Sequence, residues 1–513
     1  MNKVGARQRG GRSSSSCVRD RSPEGRDRSF AGSVHESPAA PARDGQISAI
    51  NSPTEIVGEM QEISSIRFNA LAGYARDPRT VLTAEELGYF EHANERVLGI
   101  LVRDRTDNDF AGMILARDEL KQYRWTGMTE WESTPRRARA LLRPALERAA
   151  MAPDEEHHQG HVQTTPVDFF TPIVPENRLN KDFETLIRQE GFSPALGIIE
   201  PMMRWYDDVD GNFVEQFQTT AFDARLWELY LFAALIEMGF ALDRTKAAPD
   251  FIARSLFGAF AMEAATVNPT KDKQGAIVTP PPTETDEEQL SFLREYMPIK
   301  FGSALYSKLV KEYWAKEHVR DLPFVLAIED FSAPGSMMFT RSALQLYLYG
   351  YDQDVGFEGR QRVIIPRRVA SHRWLDKEIP SGFFFLPGAE NVSAVIFSNS
   401  GTISKFNRLG LVAGFGSRRL KMYRRGLAYN HAQNAIEPIA FERDVSDPDY
   451  TETWVEGLDV FHNPRAVKPI ERHILPGAAH HYLLPNGIIK SMVPQWHPLG
   501  SQTLIGSPAP TSE

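Results

Sequence analysis

Residues 219–240, TTAFDARLWELYLFAALIEMGF, contain the longest apolar stretch of the chain and set its architecture. Apolar residues occupy almost every face at helical spacing, which is typical of a buried helix. Thr220 or Asp223 can cap its first turn, and Gly239 is suited to end it. Glu228 lies inside this apolar helix, where a carboxylate is costly unless a cation or a metal ion compensates it. The stretch therefore predicts a packed core with a charged site inside it.

Two β-prone segments follow this helix, and each carries one further acid. The first, FALDRTKAAPDFI (240–252), predicts a short strand, a turn and a second strand that Asp250 opens after a proline. The second, LFGAFAMEAATVNP (256–269), is an apolar run with Glu263 in its middle. Adjacent strands lie about 4.8 Å apart, so a short turn between them can bring Asp250 and Glu263 within reach of one ion.

Downstream of these strands the chain supplies a second helix and a fourth strand. Residues 271–298 are acidic and proline-rich, and they predict a surface insertion. SALYSKLVKEYWAKEH (303–318) predicts a helix, and DLPFVLAIEDF (321–331) predicts a strand that is buried on both faces. The predicted order is helix, strand, strand, strand, helix, strand. This order indicates an α/β fold whose core, residues 215–335, is an αβββαβ unit with a mixed sheet.

These residues and this order of elements resemble the core of the PD-(D/E)xK nuclease superfamily, the restriction-endonuclease-like proteins. AAPDFI supplies Pro249 and Asp250 as the PD element, MEAAT supplies Glu263, and WELYL supplies the helical acid Glu228. The resemblance covers less than a quarter of the 513 residues, and the chain around it also resembles large bacterial proteins that share this core. It implies a nuclease that needs Mg²⁺ (or Mn²⁺) and acts on nucleic acid.

The lysine of the family motif is missing, because position 265 is an alanine. In the family that lysine is thought to position the attacking water and to stabilise negative charge. Some members carry the equivalent amine on the following helix. By that comparison Lys308 is the best replacement, with Lys300 and Lys311 as alternatives. Tyr313, expected on the same helix, could contact a phosphate.

The chemistry of phosphodiester hydrolysis explains why such residues would be needed. Negative charge develops on the attacking water, the phosphoryl oxygens and the leaving oxygen. Mg²⁺ offsets this charge and lowers the pKa of a bound water, and it prefers a few carboxylates together with several waters. The resemblance implies Asp250 and Glu263 as direct ligands, and Glu228 as the ligand of a second ion or of a metal-bound water. Asp250, Glu263 and Lys308 are the candidate catalytic residues.

Each acid also has a structural explanation. Glu228 can pair with an arginine such as Arg225 or Arg244, and Asp250 can be a turn residue after its proline. Glu263 is harder to explain in this way, because a charge among apolar neighbours needs a partner. Three hypotheses remain: an active nuclease, a catalytically inactive relative that binds nucleic acid or a protein partner, and an interaction protein whose acids are structural.

Basic residues are concentrated between residues 360 and 425, where thirteen lysines and arginines face three acids although the whole chain carries a net charge of −9. Aromatic residues are interleaved with them, a pattern suited to contacts with a phosphate backbone. The alternative is a basic surface that is neutralised by acids elsewhere, such as those of the insertion. The strongest candidates for contacts with nucleic acid are Arg367, Arg368, Arg418, Arg419, Arg424 and Arg425.

Composition and pattern assign the remaining segments. Residues 1–50, rich in Ser, Arg, Gly and Pro, predict a disordered tail that is either a nucleic-acid arm or dispensable. Residues 60–150 predict a small α+β module with a hairpin and a helix that begins at Pro135. Residues 151–214 predict a linker and a helical connection, and residues 336–505 predict a strand-rich region.

Composition and motifs also exclude several classes of protein. With 42% hydrophobic and 24% charged residues, the chain is typical of a globular protein and not of a disordered or fibrous one. A single cysteine excludes a disulfide framework and a cysteine-based zinc site. No Walker A loop, dinucleotide-binding glycine motif, nucleophile elbow or HExxH motif occurs. We expect a cytoplasmic protein without a membrane span or secretory signal, and a structural role for His480 and His481. The oligomeric state stays open.

Overall fold

An antiparallel sheet with helices against it forms the first described part of the protein. The computed structural model describes residues 59–157, 168–206, 211–243 and 245–506. The elements of the first part are β1 (Gln61–Ile63), α1 (Ser65–Ala72), α2 (Thr80–Thr83), β2 (Ala84–His92), β3 (Val97–Asp104), β4 (Phe110–Arg117), β5 (Tyr123–Met128) and α3 (Pro135–Met151). The strands pair in chain order, and α3 packs on β3 and β4. This confirms the α+β character of the module, whereas the predicted tail, residues 1–50, lies outside the described residues.

Helices connect this module to the central core. They are α4 (Lys181–Arg188), α5 (Ser193–Met203) and α6 (Phe213–Gln218). Asn180 caps α4, because its side-chain oxygen accepts the backbone N–H groups of Asp182 and Phe183. Most of α5 is buried, since its apolar residues join the same core as the helix that follows.

The central core has the predicted order of helix, three strands, helix and strand. Its elements are α7 (Phe222–Glu237), β6 (Ala241–Asp243), β7 (Phe251–Ser255), β8 (Gly258–Val267), α8 (Asp286–Ser291), α9 (Met297–Leu309) and β9 (Phe324–Asp330). A π-helical turn, Phe292–Tyr296, joins α8 to α9. The insertion predicted over 271–298 is largely exposed up to α8, which lies within it.

Two boundaries of this core differ from the prediction. Neither Thr220 nor Asp223 caps α7, which starts after Ala221 without a side-chain cap. The helix predicted over 303–318 begins earlier, at Met297, and ends at Leu309. Glu312 adopts a left-handed backbone conformation with φ 47°, which a helix cannot continue through. Tyr313 therefore lies in a separate 3₁₀ turn and not on the helix.

The C-terminal part is rich in strands, as predicted. Its elements are α10 (Arg341–Tyr349), β10 (Tyr351–Glu358), β11 (Gln361–Arg368), β12 (Ser371–Trp374), β13 (Lys377–Pro380), β14 (Ala394–Ser398), α11 (Ile403–Val412), β15 (Lys421–Ala428), β16 (Ile439–Asp444), β17 (Leu458–His462), β18 (Ala479–Leu483), β19 (Ile489–Met492) and β20 (Pro498–Gly506). Two hairpins, β10–β11 and β12–β13, and a three-stranded sheet in the order β16-β15-β20 stand beside the main sheet.

The main sheet has eight strands in the order β19-β18-β17-β14-β9-β8-β7-β6. β8, β9 and β14 run parallel to one another, as do β17 and β18, while the other neighbours are antiparallel. This mixed sheet confirms the α/β class. It also joins strands on both sides of the predicted domain boundary at residue 335, and residues 55–513 form one compact unit. The finer division into domains stays a prediction.

Both faces of this sheet are buried. Along β8, Met262 and Ala264 face the core that contains α7, whereas Ala261 and Ala265 face the core that contains α9. This alternation follows from the period of two along a strand. Glu263 shares the second face, so its carboxylate points toward α9. Every residue of β9 is buried, as a strand covered on both faces requires. None of the helices in the described ranges has the length and apolarity needed to cross a bilayer.

A cluster of buried charges holds the three-stranded sheet to α11. Arg408 of α11 donates hydrogen bonds of 2.8 and 2.7 Å to both carboxylate oxygens of Glu452. Arg424 of β15 lies 3.3 Å from the same carboxylate, and Lys405 lies 3.8 Å from it. Burial alone would raise the pKa of Glu452, but the charges of Arg408 and Arg424 outweigh it and hold that pKa well below its usual value.

Glu452→Gln should cost about 3–5 kcal/mol of unfolding free energy, because it removes the charge that compensates several buried cations. Urea denaturation at pH 7 measures this loss. Glu442→Gln, a change of an exposed acid on β16, is the matched control and should leave the free energy of unfolding nearly unchanged. Equal stability of the two variants would contradict the role assigned to the cluster.

Candidate functional site

The candidate site lies where β7 and β8 separate. Phe251 of β7 pairs with Met262 of β8 in antiparallel register, so the next step brings Asp250 opposite Glu263. The carboxylate of Asp250 accepts a 2.7 Å hydrogen bond from the backbone N–H of Ala264. β7 begins at Phe251, directly after Asp250. β8 continues beyond Glu263 to Val267 and pairs there with β9. The two acids therefore meet at the end of the strand pair, as their spacing predicts.

Lys308 reaches this site from α9, the helix that packs on the face of β8 to which Glu263 points. Its Nζ lies 2.6 Å from Oε1 of Glu263, and the two side chains are 22% and 5% exposed. Ala265 shares the face of β8 that packs against α9, so an amine on that helix approaches the same side of the strand. Lys300 instead donates to the carbonyl of Asn268, and Lys311 lies over the ring of Tyr313. Of the three lysines considered, Lys308 is the one that contacts a site acid.

Glu228 pairs with Arg225, the structural explanation that the sequence offered in place of a metal ion. Nη1 of Arg225 lies 2.9 and 2.7 Å from its two carboxylate oxygens, and the hydroxyl of Tyr206 donates to the same group. The other partner that was considered, Arg244, lies outside the described residues. Glu228 is thus held within a buried network, and binding of an ion by its carboxylate would require exchange of these contacts.

Burial and mutual repulsion raise the pKa values of two of the acids. Burial raises the pKa of Glu228 to about 7, the charge of Asp250 adds to this shift, and Arg225 opposes it. The pKa of Glu263 is raised by the same two causes, with Lys308 opposing them. Burial and the neighbouring charge of Glu263 raise the pKa of Tyr313. The charge of Asp250 therefore acts on both of the other acids.

The donor set fits a divalent ion bound by two carboxylates. Across the described ranges, no group of three or more His, Cys, Asp and Glu side chains is arranged to hold a metal ion. Mg²⁺ is commonly held by one or two carboxylates, with waters completing its shell. Asp250 and Glu263 face each other across the strand end and repel each other, and a cation between them would relieve that repulsion. Glu228, paired with Arg225, is not needed for such a site.

The predicted basic surface is only partly present. The prediction that Arg424 contacts nucleic acid is wrong, because its side chain is 1% exposed and bound to Glu452 and Glu456. Arg367 is exposed but lies 2.6 Å from Asp352, which offsets its charge. Of the six arginines, four are exposed and are not set aside by burial or by a neighbouring acid: Arg368, Arg418, Arg419 and Arg425.

Asp459 of β17 is the centre of a second buried polar network that the sequence did not predict. Arg341 donates to both of its carboxylate oxygens, at 2.6 and 2.9 Å. Nε2 of His481 lies 2.8 Å from Asp459, and Nδ1 of His481 lies 2.8 Å from the hydroxyl of Ser491. These residues are far apart in sequence, so no local spacing could have indicated them. The burial and bonding of His480 and His481 agree with their predicted structural role.

Comparison with protein-family models, with curated proteins and with solved structures finds no match to this chain. The nuclease resemblance therefore rests on the motif residues and the order of elements, and the function it implies stays a proposal.

Asp250→Asn should weaken the pH dependence of stability between pH 5 and 7. A carboxyl whose pKa is about 7 in the folded protein keeps its proton where the unfolded chain has lost it, so its contribution to stability falls as pH rises through this window. Removing the charge of Asp250 lowers the folded pKa values of Glu228 and Glu263 and makes that fall smaller. Urea denaturation at pH 5, 6 and 7 measures the effect.

Asp321→Asn, at an exposed position, is the control for this experiment and should keep the parent's pH dependence. An identical pH profile for Asp250→Asn and the parent would show that Asp250 does not couple to the other two acids.

Proposed function

We propose that this protein is a Mg²⁺- or Mn²⁺-dependent nuclease that hydrolyses phosphodiester bonds of nucleic acid at Asp250, Glu263 and Lys308. The observation that carries the proposal is the 2.6 Å contact between Lys308 and Glu263, with Asp250 beside them. Those three residues are the two acids and the amine that the PD-(D/E)xK resemblance implies, and they come from a strand end, a strand and a helix that are separate in sequence.

The energetics of this group favour a functional role over a purely structural one. Lys308 alone would balance the charge of Glu263. Asp250 adds a second carboxylate beside Glu263, and its charge raises the pKa of Glu263. Groups of like charge whose pKa values are shifted by burial and by each other are concentrated at functional sites. A bound divalent ion would turn this repulsion into attraction.

Each residue has a distinct role in the proposed reaction. A divalent ion held by Asp250 and Glu263 would offset the charge on the phosphate and lower the pKa of a bound water. The backbone N–H of Ala264 keeps the carboxylate of Asp250 in place. Lys308, as a cation, orients the attacking water and stabilises the charge that develops on the phosphoryl oxygens. Arg225 and Tyr206 hold Glu228 as a fixed buried acid behind the site.

The second candidate is a catalytically inactive protein of the same fold that binds nucleic acid or a protein partner. The observation that favours it is the pairing of Lys308 with Glu263, since an amine held by a carboxylate is less available to a water or a phosphate. The choice of DNA or RNA, and of internal or terminal cleavage, belongs to neither proposal. Cleavage assays separate the two candidates.

Asp250→Asn and Glu263→Gln should each abolish metal-dependent cleavage, because each removes a ligand charge. Lys308→Ala should slow cleavage by roughly 10²- to 10³-fold, the scale for loss of one preorganised charge stabiliser, with little change in substrate affinity. The assay uses the full chain with mixed DNA and RNA and with Mg²⁺ or Mn²⁺. Lys490→Ala, at an exposed lysine on β19, is the control and should cleave like the parent.

The outcomes of this assay are distinct. Parent-like cleavage by Lys308→Ala would reject Lys308 as the amine and direct attention to Lys300 or Lys311. Absence of cleavage by the parent on every nucleic acid would favour the inactive candidate.

Charge reversal on the exposed basic positions should weaken nucleic-acid binding and make it less sensitive to salt. Each lost phosphate contact should reduce the slope of log affinity against log salt by about 0.9 for duplex DNA. Fluorescence anisotropy at three salt concentrations measures both effects, with Arg148→Glu on α3 as the control. Unchanged affinity and slope would exclude this surface. The variant carries glutamate at Arg368, Arg418, Arg419 and Arg425.

A further inference from the structure

A cavity of about 820 Å³ lies at the end of β8, the strand that carries Glu263. Its walls come from the end of β8 and the segment after it, from the π-helical turn and α9, and from the hairpin β12–β13. The residues that matter for its chemistry are Thr266, Thr270, Tyr296, Lys300, Trp374 and Lys377.

Two lysines supply positive charge to this cavity. Nζ of Lys300 donates to the carbonyl of Asn268 at 2.7 Å and to the hydroxyl of Thr270 at 2.8 Å. Nζ of Lys377 donates to the hydroxyl of Ser303 at 2.7 Å. Within the described part of the chain, neither amine forms an ion pair, and neutral oxygens hold both in position. Each therefore keeps its charge available to an anion.

Two aromatic rings supply a stacking surface. The rings of Tyr296 and Trp374 lie 5.5 Å apart at 73°, and an edge-to-face pair leaves at least one ring face uncovered by its partner. Trp374 is only partly buried and lies directly opposite Lys377 in the hairpin. A planar group against the indole would thus have an ammonium group beside it. The exposed acid Asp376 lies at the turn of this hairpin and also lines the cavity.

The hairpin β12–β13 packs tightly against α9 and the π-helical turn, so the walls of the cavity are held in place without a ligand. A side chain at Gly302 of α9 would place its Cβ 2.6 Å from Cδ1 of Ile379, so glycine permits the close approach of β13. Nδ1–H of His372 donates a 2.7 Å hydrogen bond to the carbonyl of Arg294 in the π-helical turn. Such turns within helices are often found at functional sites.

The cavity and the acids share the same strand and the same helix. Along β8, Thr266 lies about 10 Å from Glu263 at ~3.3 Å per residue. Along α9, Lys300 lies about 12 Å from Lys308 at ~1.5 Å per residue, and the helix runs opposite to the strand. A strand of nucleic acid advances ~3.4 Å per nucleotide along a duplex axis, so a few nucleotides bridge this distance.

We propose that this cavity binds one nucleotide of the substrate, with the base stacked on Trp374 and the phosphate between Lys300 and Lys377. The proposal rests on the proposed nuclease function, because it places this nucleotide a few steps from the phosphodiester at Asp250 and Glu263. The cavity would select a ligand in which a planar ring is joined to a phosphate. A free nucleotide and a nucleotide within a polymer both meet this description.

The electrostatics of Lys300 agree with an anionic ligand. Burial lowers the pKa of Lys300, Asp330 partly opposes this shift, and the charge of Lys377 adds to it. An anion between the two amines would be attracted to both and would relieve their repulsion.

Binding in the absence of divalent metal tests the proposal without cleavage. Calorimetry on the full chain in EDTA would compare adenosine monophosphate, inorganic phosphate and a short single-stranded oligonucleotide. Lys300→Ala and Trp374→Ala should each weaken binding of the nucleotide or oligonucleotide about 10-fold or more, the scale for loss of a stacked base or a phosphate contact. Lys468→Ala, an exposed lysine elsewhere, is the matched control.

The three ligands distinguish the sources of the nucleotide. Binding of adenosine monophosphate that depends on Lys300 and Trp374 supports a site for free and polymeric nucleotides. Binding of the oligonucleotide alone, with the same dependence, supports a site for the polymer. Phosphate binding as tight as nucleotide binding, with no effect of Trp374→Ala, would overturn the stacking role and the proposal.

Failure of this proposal and failure of the nuclease proposal give different results. A parent that binds nucleotide through Trp374 but cleaves nothing would keep the cavity and reject the nuclease. Variants at Lys300 and Trp374 that cleave with the parent's KM would reject the cavity and keep the nuclease. Should Trp374→Ala lower the melting temperature of the protein, Lys377→Ala, at an exposed lysine of the same hairpin, applies the same test.

Discussion

A carboxylate in a strand that is buried on both faces requires a partner, and Glu263 of β8 has Lys308 of α9 at 2.6 Å. This contact places the C-terminal turn of α9 beside the middle of β8. Because the helix runs opposite to β8, its other lysine, Lys300, comes to the end of the strand. Glu263, Lys308 and one wall of the neighbouring cavity therefore belong to one strand and one helix, while Asp250 and the hairpin β12–β13 complete the two sites. Asp250 adds a second negative charge, which raises the pKa values of both Glu263 and Glu228.

The local sequence patterns predicted the helices and strands of the central core. The apolar helix around Glu228, the strand pair that carries Asp250 and Glu263, and the buried strand after it all follow from periodicity and turn residues. The amine at Lys308 followed from the resemblance, because the motif position is an alanine. The eight-stranded sheet could not be predicted, because the pairing of β9 with β14 joins segments that are distant in sequence. The separation of Tyr313 from α9 depends on the left-handed backbone at Glu312, which composition does not reveal.

Charge was harder to predict from the sequence than hydrophobicity. The basic segment between residues 360 and 425 contains two different populations of side chains. Along β15, Arg425 points outward whereas Arg424 points inward to Glu452, although the two are adjacent. The period of two along a strand separates them, but only the buried acid shows which of the two is inside. For Glu228 the sequence offered a metal ion or an arginine as partner, and the structure shows that Arg225, one helical turn away, pairs with it.

The parallel pairing of β9 with β14 has a consequence for synthesis of the chain. β9 is complete at Asp330, but its neighbour on that side ends at Ser398. Until the ribosome has made β14, the mostly apolar β9 exposes a row of unpaired backbone groups, which is the feature that makes open sheet edges prone to aggregation. Parallel pairing over such a separation is also slow. The nascent chain therefore presents an open sheet edge until β14 is made, and Glu263 lies on β8, the strand directly next to that edge strand.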